Sequence, residues 1–422
     1  MEIQVFLPLI VAVSIALMLI RPRGIPEVWW IGAGCLLLIV LRLISLPLAG
    51  RAVAEGTDVY LFLIGMMMLS ELANENGVFD WLSSVAVRNA RGSCGRLFLL
   101  VYGIGTVVTI FMSNDATAVV LTPAILTAVR KAKVEPLPYL FACALIANAA
   151  SFVLPISNPA NLVVFHTGMP PLNQWLVYFG VPSVLSIVAT FAVVRLIFRN
   201  ELGGCIEQEV AAEKLKGEGK LVLGGIAVMV LVLLTASLLK KDLGLPTCLA
   251  AIAVTAVVSI KSRSNPVPLL RHISWSTLLL VAGLFIMVNA VESIGALKIT
   301  QGWLHWVQNL APGAVALVAG FAVGIGNNII NNLPLGLIAG GTLEAAHAKG
   351  LIVHAVMIGV DLGPNLSVTG SLATILWLIA LRKEKLDVSF WRFLKVGAIA
   401  MPVGLVLALG GAIVMQVMFH GS

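Results

Sequence analysis

Apolar runs separated by short polar stretches recur along nearly the whole chain. They fall at 3–20, 27–48, 58–73, 97–129, 137–166, 174–198, 221–239, 246–260, 275–294, 313–346, 351–381 and 393–419. A helix needs about 20 apolar residues to cross roughly 30 Å of hydrocarbon, so these runs predict transmembrane spans. Two of them, 97–129 and 313–346, do not fit a single crossing. The first holds the polar triplet Ser113-Asn114-Asp115 at its middle and is bounded by Arg96 and Arg130. Folded there, each arm has about 15 residues, or roughly 22 Å at 1.5 Å per residue. A re-entrant hairpin with a polar tip is expected in both runs.

Two further runs are interrupted. Segment 137–166 contains LPISNPAN, in which Pro155 and Pro159 remove backbone donors and open the helix. Segment 351–381 contains DLGPNLSVTGS, with Gly363, Pro364 and Gly370 as breakers. The expected fold is therefore an all-α integral membrane protein of ten transmembrane helices, two of them broken, plus two re-entrant hairpins. Three spans, a hairpin and two spans occur in 1–199 and again in 221–422, split by the polar linker 200–220. Five crossings per half is odd, so the halves form two inverted-topology repeats, as in many secondary transporters. Weak pairings follow the same order: Glu71 with Glu292, Asn114-Asp115 with Asn331-Asn332, and Asn148 with Asp361.

Composition agrees with a membrane chain. Of 422 residues, 59% are hydrophobic and 11% charged, with mean hydropathy +1.02, against roughly 25% charged in soluble domains. The net charge of +7 then reads as topology signal and not as nucleic-acid affinity. With the N-terminus outside and both odd runs returning to their own side, 21 of the 27 Lys and Arg residues lie inside and five outside, Arg42 lying within a span. Counting each odd run as one crossing gives 13 on each side instead. The hairpin topology obeys the positive-inside rule, and it places both termini on the outer side of a cell (inner) membrane. The N-terminus, with no basic residue before its first apolar run, is expected to be a retained helix and not a cleaved signal.

The candidate chemistry sits where the spans break. Irregular backbone at membrane depth survives only when buried in protein or lining a wet cavity, so both tips and both breaks should converge. Amides and hydroxyls predominate there: Asn114, Ser157, Asn158, Asn161, Asn331, Asn332, Asn365, Thr369 and Ser371 are the expected substrate contacts. Amides both donate and accept. None of the four elements carries Lys, Arg or His, which opposes a dicarboxylate or phosphate cargo. Asp115 and Asp361 coincide with the interruptions, and a carboxylate in the bilayer costs several kcal/mol unless paired or protonated. They are the expected proton carriers. Glu71 and Glu292 are read as interfacial acids, and Met66-Met67-Met68 as packing. Trp29, Trp30, Trp175, Trp275 and Trp391 are read as interfacial anchors at span starts. The six histidines are scattered and predict no metal site. Cys35, Cys94, Cys143, Cys205 and Cys248 show no C-x-x-C spacing, against a disulfide framework or thiolate cluster. No Walker-type phosphate loop exists, so the chain does not hydrolyse nucleotide by that route.

FMSNDATAVVLTP, LPISNPANLVV, NNIINNLPLGL and above all DLGPNLSVTGSLATILWL resemble the arsenite efflux permeases (ArsB type) of the ion transporter superfamily, over essentially the whole chain. The resemblance implies no enzyme and no cofactor, but proton-driven export of arsenite and antimonite, the trivalent hydroxides. Some relatives also join a soluble cytoplasmic ATPase. Some have Cys before the Asp-Leu-Gly-Pro run, where this chain has Val360. Open alternatives are a sodium:proton antiporter, an exporter of another neutral hydroxide such as silicic acid, and a channel subunit for an ATPase. A neutral trihydroxide calls for oxygen recognition and not thiolate chemistry. Changing all five cysteines to Ser should therefore leave arsenite uptake into inverted vesicles intact; loss of uptake in that variant would sink oxygen recognition.

Overall fold

The computed structural model describes residues 2–166, 168–204, 214–263, 265–295 and 297–420. Cys205 and linker residues 205–213 lie outside the described residues, as do the side chains of His272 and His420. Helices of the first half are α1 (Glu2–Ile20), α2 (Glu27–Val40), α3 (Leu46–Glu55), α4 (Thr57–Glu75), α5 (Val78–Asn89), α6 (Cys94–Phe111), α7 (Thr122–Lys131), α8 (Leu137–Ala149), α9 (Pro159–Val164) and α10 (Leu172–Ile197). Those of the second are α11 (Gly217–Leu238), α12 (Gly244–Ser262), α13 (Val267–His272), α14 (Trp275–Ser293), α15 (Leu297–Gln308), α16 (Pro312–Ile330), α17 (Asn332–Ala345), α18 (Leu351–Leu362), α19 (Leu372–Lys383) and α20 (Phe390–His420). No strand occurs among the described residues.

Among the described residues, seven helices are long and apolar enough to cross a membrane: α6, α10, α11, α12, α14, α16 and α20. The pair α3 and α4, bent by 48°, adds an eighth if taken as one span. The chain is thus a multi-pass membrane protein. The number falls below ten because each broken run is divided into short helices, and α2 has only 14 residues. Two of the seven, α6 and α16, are first arms of the hairpins. At 18 and 19 residues they exceed the expected arm, and the return arms differ from them. The first return opens with a π-helical turn, Ala116–Leu121, before α7; the second is the 14-residue α17. Arm length therefore does not separate re-entry from a crossing.

Four helices, α3, α5, α13 and α15, lie where only loops are expected. They are short, and α3, α5 and α15 bury one stripe each. In α5 that stripe is Val78, Phe79, Ser83, Ala86 and Val87, helical spacing that a search for continuous apolar runs passes over. With them in place, each helix of the first half has a counterpart ten helices later in the same order. Contacts follow suit: α4 packs on α12 and α2 on α14, α6 on α8 and α16 on α18, while α10 packs on α20. One small apolar cluster joins α1, α2, α3 and α14. The larger core holds both hairpins and both breaks.

Trp175 departs from its expected place. Trp29, Trp275 and Trp391 are exposed, but Trp175 is fully buried and its Nε1–H donates to the Phe152 carbonyl at 3.1 Å. The first helix break frees that carbonyl, and an indole N–H with an apolar body can reach it from α10.

The return arm α17 seats directly on α9. A methyl group at Gly340 would stand 2.4 Å from the Val164 carbonyl oxygen, whereas one at Gly341 would meet only Leu297 at an ordinary 3.6 Å. Gly340→Ala should therefore lower stability by about 1–3 kcal/mol through overpacking, read as a lower Tm in detergent. Gly341→Ala should leave Tm unchanged; equal Tm for both would refute the close approach.

Candidate functional site

An opened helix leaves carbonyls without intrahelical donors, and at apolar depth each needs a substitute. In the first break Asn161 supplies it: its Nδ2 lies 3.0, 3.3 and 3.2 Å from the carbonyls of Ser151, Leu154 and Pro155. Ser157 Oγ donates to Ile110 O in the first hairpin arm at 3.0 Å. In the second break Asn327 Nδ2 donates to Gly359 O and Val360 O, both at 2.9 Å. Asn328 Nδ2 donates to Gly363 O at 3.1 Å, while its Oδ1 accepts from Ser367 N and Oγ. Thr369 Oγ1 returns a bond to Asn328 O, and Asn331 Nδ2 donates to Thr369 O. Each break is thus held by its neighbouring hairpin.

The two breaks also bind one another. Asn148 Nδ2 donates to Asn365 Oδ1 at 3.0 Å, and Asn365 Nδ2 donates to Leu145 O at 3.1 Å. Asn158 Nδ2 donates to Asp361 Oδ1 at 2.8 Å, while Asn158 Oδ1 caps α9 at Ala160 N. Asp361 is fully buried, and the Ser151 side chain stands against its carboxyl beside Asn158.

At each hairpin tip one residue turns the chain with positive φ: Ser113 at 145° and Asn331 at 73°. Neither is glycine, so both tips carry backbone strain of the kind found at functional sites. This geometry pairs Ser113 with Asn331 and Asn114 with Asn332. Asp115 therefore answers Leu333, one residue off the register suggested by the Asn-Asp and Asn-Asn pairs. Asn114 and Asn332 are buried, and the Oδ1 of each has no partner among the described residues.

The starts of four helical segments face a common crevice. Its walls include Asn114 and Asp115 from the first tip, Asn158 from the first break, Asn332 from the second tip and Ser371 from the second break. The crevice adjoins a cavity of about 120 Å³ that shares Asp115, Pro159 and Thr277 with it. Ser70, Glu71, Ser113 and Ser274 also line the cavity, and among the described residues no Lys, Arg or His does. Helix N-termini by themselves attract anions; two carboxyl groups in the same small space oppose one.

The family model described as "Citrate transporter" (CitMHS) matches residues 3–361. The chain belongs to the CitMHS family. This CitMHS protein is a membrane transporter, not an enzyme. It is 26% identical to the arsenical pump membrane protein of Escherichia coli (strain K12), covering 93% of this chain and 95% of that protein. It is 25% identical to an uncharacterized transporter of Mycobacterium tuberculosis, covering 83% and 84%. The YdaH transporter of Alcanivorax borkumensis, of known crystal structure, superposes with a TM-score of 0.58 at 16% identity, over 90% of this chain and 89% of that one. That likeness is one of fold.

Within the CitMHS transporter the expected site residues divide in two. Asn114, Asp115, Asn158, Asn332 and Ser371 line the crevice. Ser157, Asn161, Asn365 and Thr369 are turned to backbone or amide partners of the breaks, Asn331 caps α17, and Asp361 lies behind Asn158. Sequence reading missed Thr277, which lines both spaces, and Asn327 and Asn328, which hold the second break. The Asn-Asn pair two residues before Asn331-Asn332 was the available signal. Glu71 lines the cavity instead of lying apart from it.

The division is testable. Asn161→Ala strands buried carbonyls, at about 1–3 kcal/mol for a buried group left unsatisfied, and should lower Tm clearly. Asn332→Ala removes an oxygen that has no protein partner and should leave Tm near wild type. The reverse order of Tm values would overturn the assignment.

Proposed function

We propose that this transporter exports arsenite and antimonite, as neutral trivalent hydroxides, across the inner membrane in exchange for protons. The observation that carries the reading is the lining of the 120 Å³ cavity: hydroxyls, Asp115 and Glu71 set among mostly apolar side chains, with no cationic side chain among the described residues. A citrate-like anion would meet two carboxyl groups and no counter-charge. At the adjoining crevice a small trihydroxide would meet acceptors for its O–H groups, Asn114 Oδ1 and Asn332 Oδ1. Relatives named arsenical pump membrane proteins, aligned over almost the full length, support the same class.

Asp115 and Asp361 are the proposed proton carriers. Asp115 stands at the crevice wall. Asp361 is one hydrogen bond behind it, through Asn158, which faces the crevice with one side and holds Asp361 with the other. Cargo that draws on the Asn158 amide weakens its bond to Asp361, which couples occupancy of the crevice to a buried acid. We further propose that the halves 1–199 and 221–422 are inverted repeats joined by a cytoplasmic linker at 200–220. The ten crossings, the two re-entrant hairpins and both outer-side termini follow from that topology. The matching helix order and the crossed pairing of α4 with α12 and α2 with α14 support it. On that topology the cavity runs toward the inside ends of α4 and α14, where cargo enters for export. A cytoplasmic ATPase, where present, would meet the inside loops 200–220 and 261–272.

The deciding experiment is arsenite uptake into inverted vesicles under an imposed pH gradient, with and without sodium. Uptake should follow the pH gradient alone, and Asp115→Asn and Asp361→Asn should each abolish gradient-driven uptake. Full activity in both variants removes the proton assignment. Strict dependence on sodium would favour a sodium:proton antiporter, and uptake only with ATP and a partner protein would make the chain a pump subunit.

A further inference from the structure

The oxygen groups of the cavity do not by themselves explain a preference for arsenic. Boric, silicic and arsenous hydroxides all present O–H groups of similar reach, so amides and hydroxyls hold any of them. Discrimination needs a contact that responds to the central atom. On α4, Leu63, Met66, Met67, Ser70 and Glu71 all line the cavity, which is the i, i+3, i+4, i+7, i+8 stripe of one helix face. Met68, the third methionine of the run, is buried elsewhere and does not line it. Among the described residues, Met66 and Met67 bring the only sulfur to this lining; Cys35, Cys94, Cys143 and Cys248 are buried away from it.

We propose that Met66 and Met67 form a soft wall that selects trivalent arsenic and antimony over the hydroxides of boron and silicon. The proposal rests on the substrate class given above. Thioether sulfur is a soft, polarisable donor, matched to soft acceptors and indifferent to hard ones. Trivalent arsenic and antimony accept such a contact opposite their As–O or Sb–O bonds; boron and silicon in their hydroxides are hard centres. The contact forms no covalent bond: the three hydroxyl groups stay on the cargo, no proton moves and no oxidant is needed. A thioether also cannot become a thiolate, so the cargo is not trapped as it would be by cysteines.

The test uses the full-length purified protein and measures binding of arsenite, antimonite and silicic acid by equilibrium dialysis with elemental detection. Met66→Leu/Met67→Leu keeps the volume and should keep Tm within a few degrees. It should weaken arsenite and antimonite binding by up to about tenfold, antimonite the more, and leave any silicic acid binding unchanged. Arsenic-edge X-ray absorption of the unaltered protein, which needs no variant, should show sulfur beyond the oxygen shell. Unchanged affinity in the double variant, or an absorption spectrum with oxygen alone, overturns the soft wall while leaving the arsenite reading in place. Wild-type protein that binds neither arsenite nor antimonite rejects the substrate class itself, and the wall with it.

Discussion

The centre of this protein depends on satisfying backbone polar groups where two helices open inside an apolar core. A carbonyl stripped of its helical donor at that depth costs about 1–3 kcal/mol if nothing replaces the donor. Two breaks expose several such groups inside the core. Side-chain amides replace the donors: Asn161 reaches three carbonyls, Asn327 two, and Asn328 ties Gly363 to Ser367. Asparagine suits the task because its NH₂ donates twice while its oxygen accepts, on a side chain short enough to be held rigidly.

That requirement shapes the site by subtraction. Most of the polar groups at the centre are committed to the scaffold and unavailable to a ligand. Of the side-chain oxygens left without a partner among the described residues, Asn114 Oδ1 and Asn332 Oδ1 belong to the crevice wall, beside Asp115, while Asn148 Oδ1, Asn161 Oδ1 and Asn327 Oδ1 lie within the network of the breaks. The site is rigid because each tip is pinned to a break and the breaks to each other through Asn148–Asn365 and Asn158–Asp361. A single amide, that of Asn158, separates the crevice from the buried Asp361, and the proposed coupling runs through it.

Much of this was legible in the chain. Pro155, Pro159, Gly363 and Pro364 announce broken helices, and Ser113-Asn114-Asp115 in an apolar run announces a polar tip. What was not legible had physical reasons. Asn161, Asn365 and Thr369, expected as substrate contacts, donate in the structure to the carbonyls of Ser151, Leu145 and Asn328, demands that the interruptions create and that no local pattern announces. Trp175 was read as an interfacial anchor because its position along the span suggested one; it serves a carbonyl freed 23 residues earlier. Glu71 and Met66-Met67 looked bland because no local pattern tells which face of α4 meets the first hairpin.

By itself, the sequence determined that the chain is helical and lives in a bilayer, where its helices break, and that amides and two acids stand at the breaks. Apolar run length, proline and charge placement act locally or along the chain, so they can be read in one dimension. Only the tertiary structure decided which amides are spent on backbone and which remain for cargo. It also brought Glu71, Thr277 and the methionines of α4 to the cavity wall. Those assignments depend on contacts between residues from 6 to 220 positions apart, and a carbonyl's unmet demand becomes visible only when its neighbours in space are known.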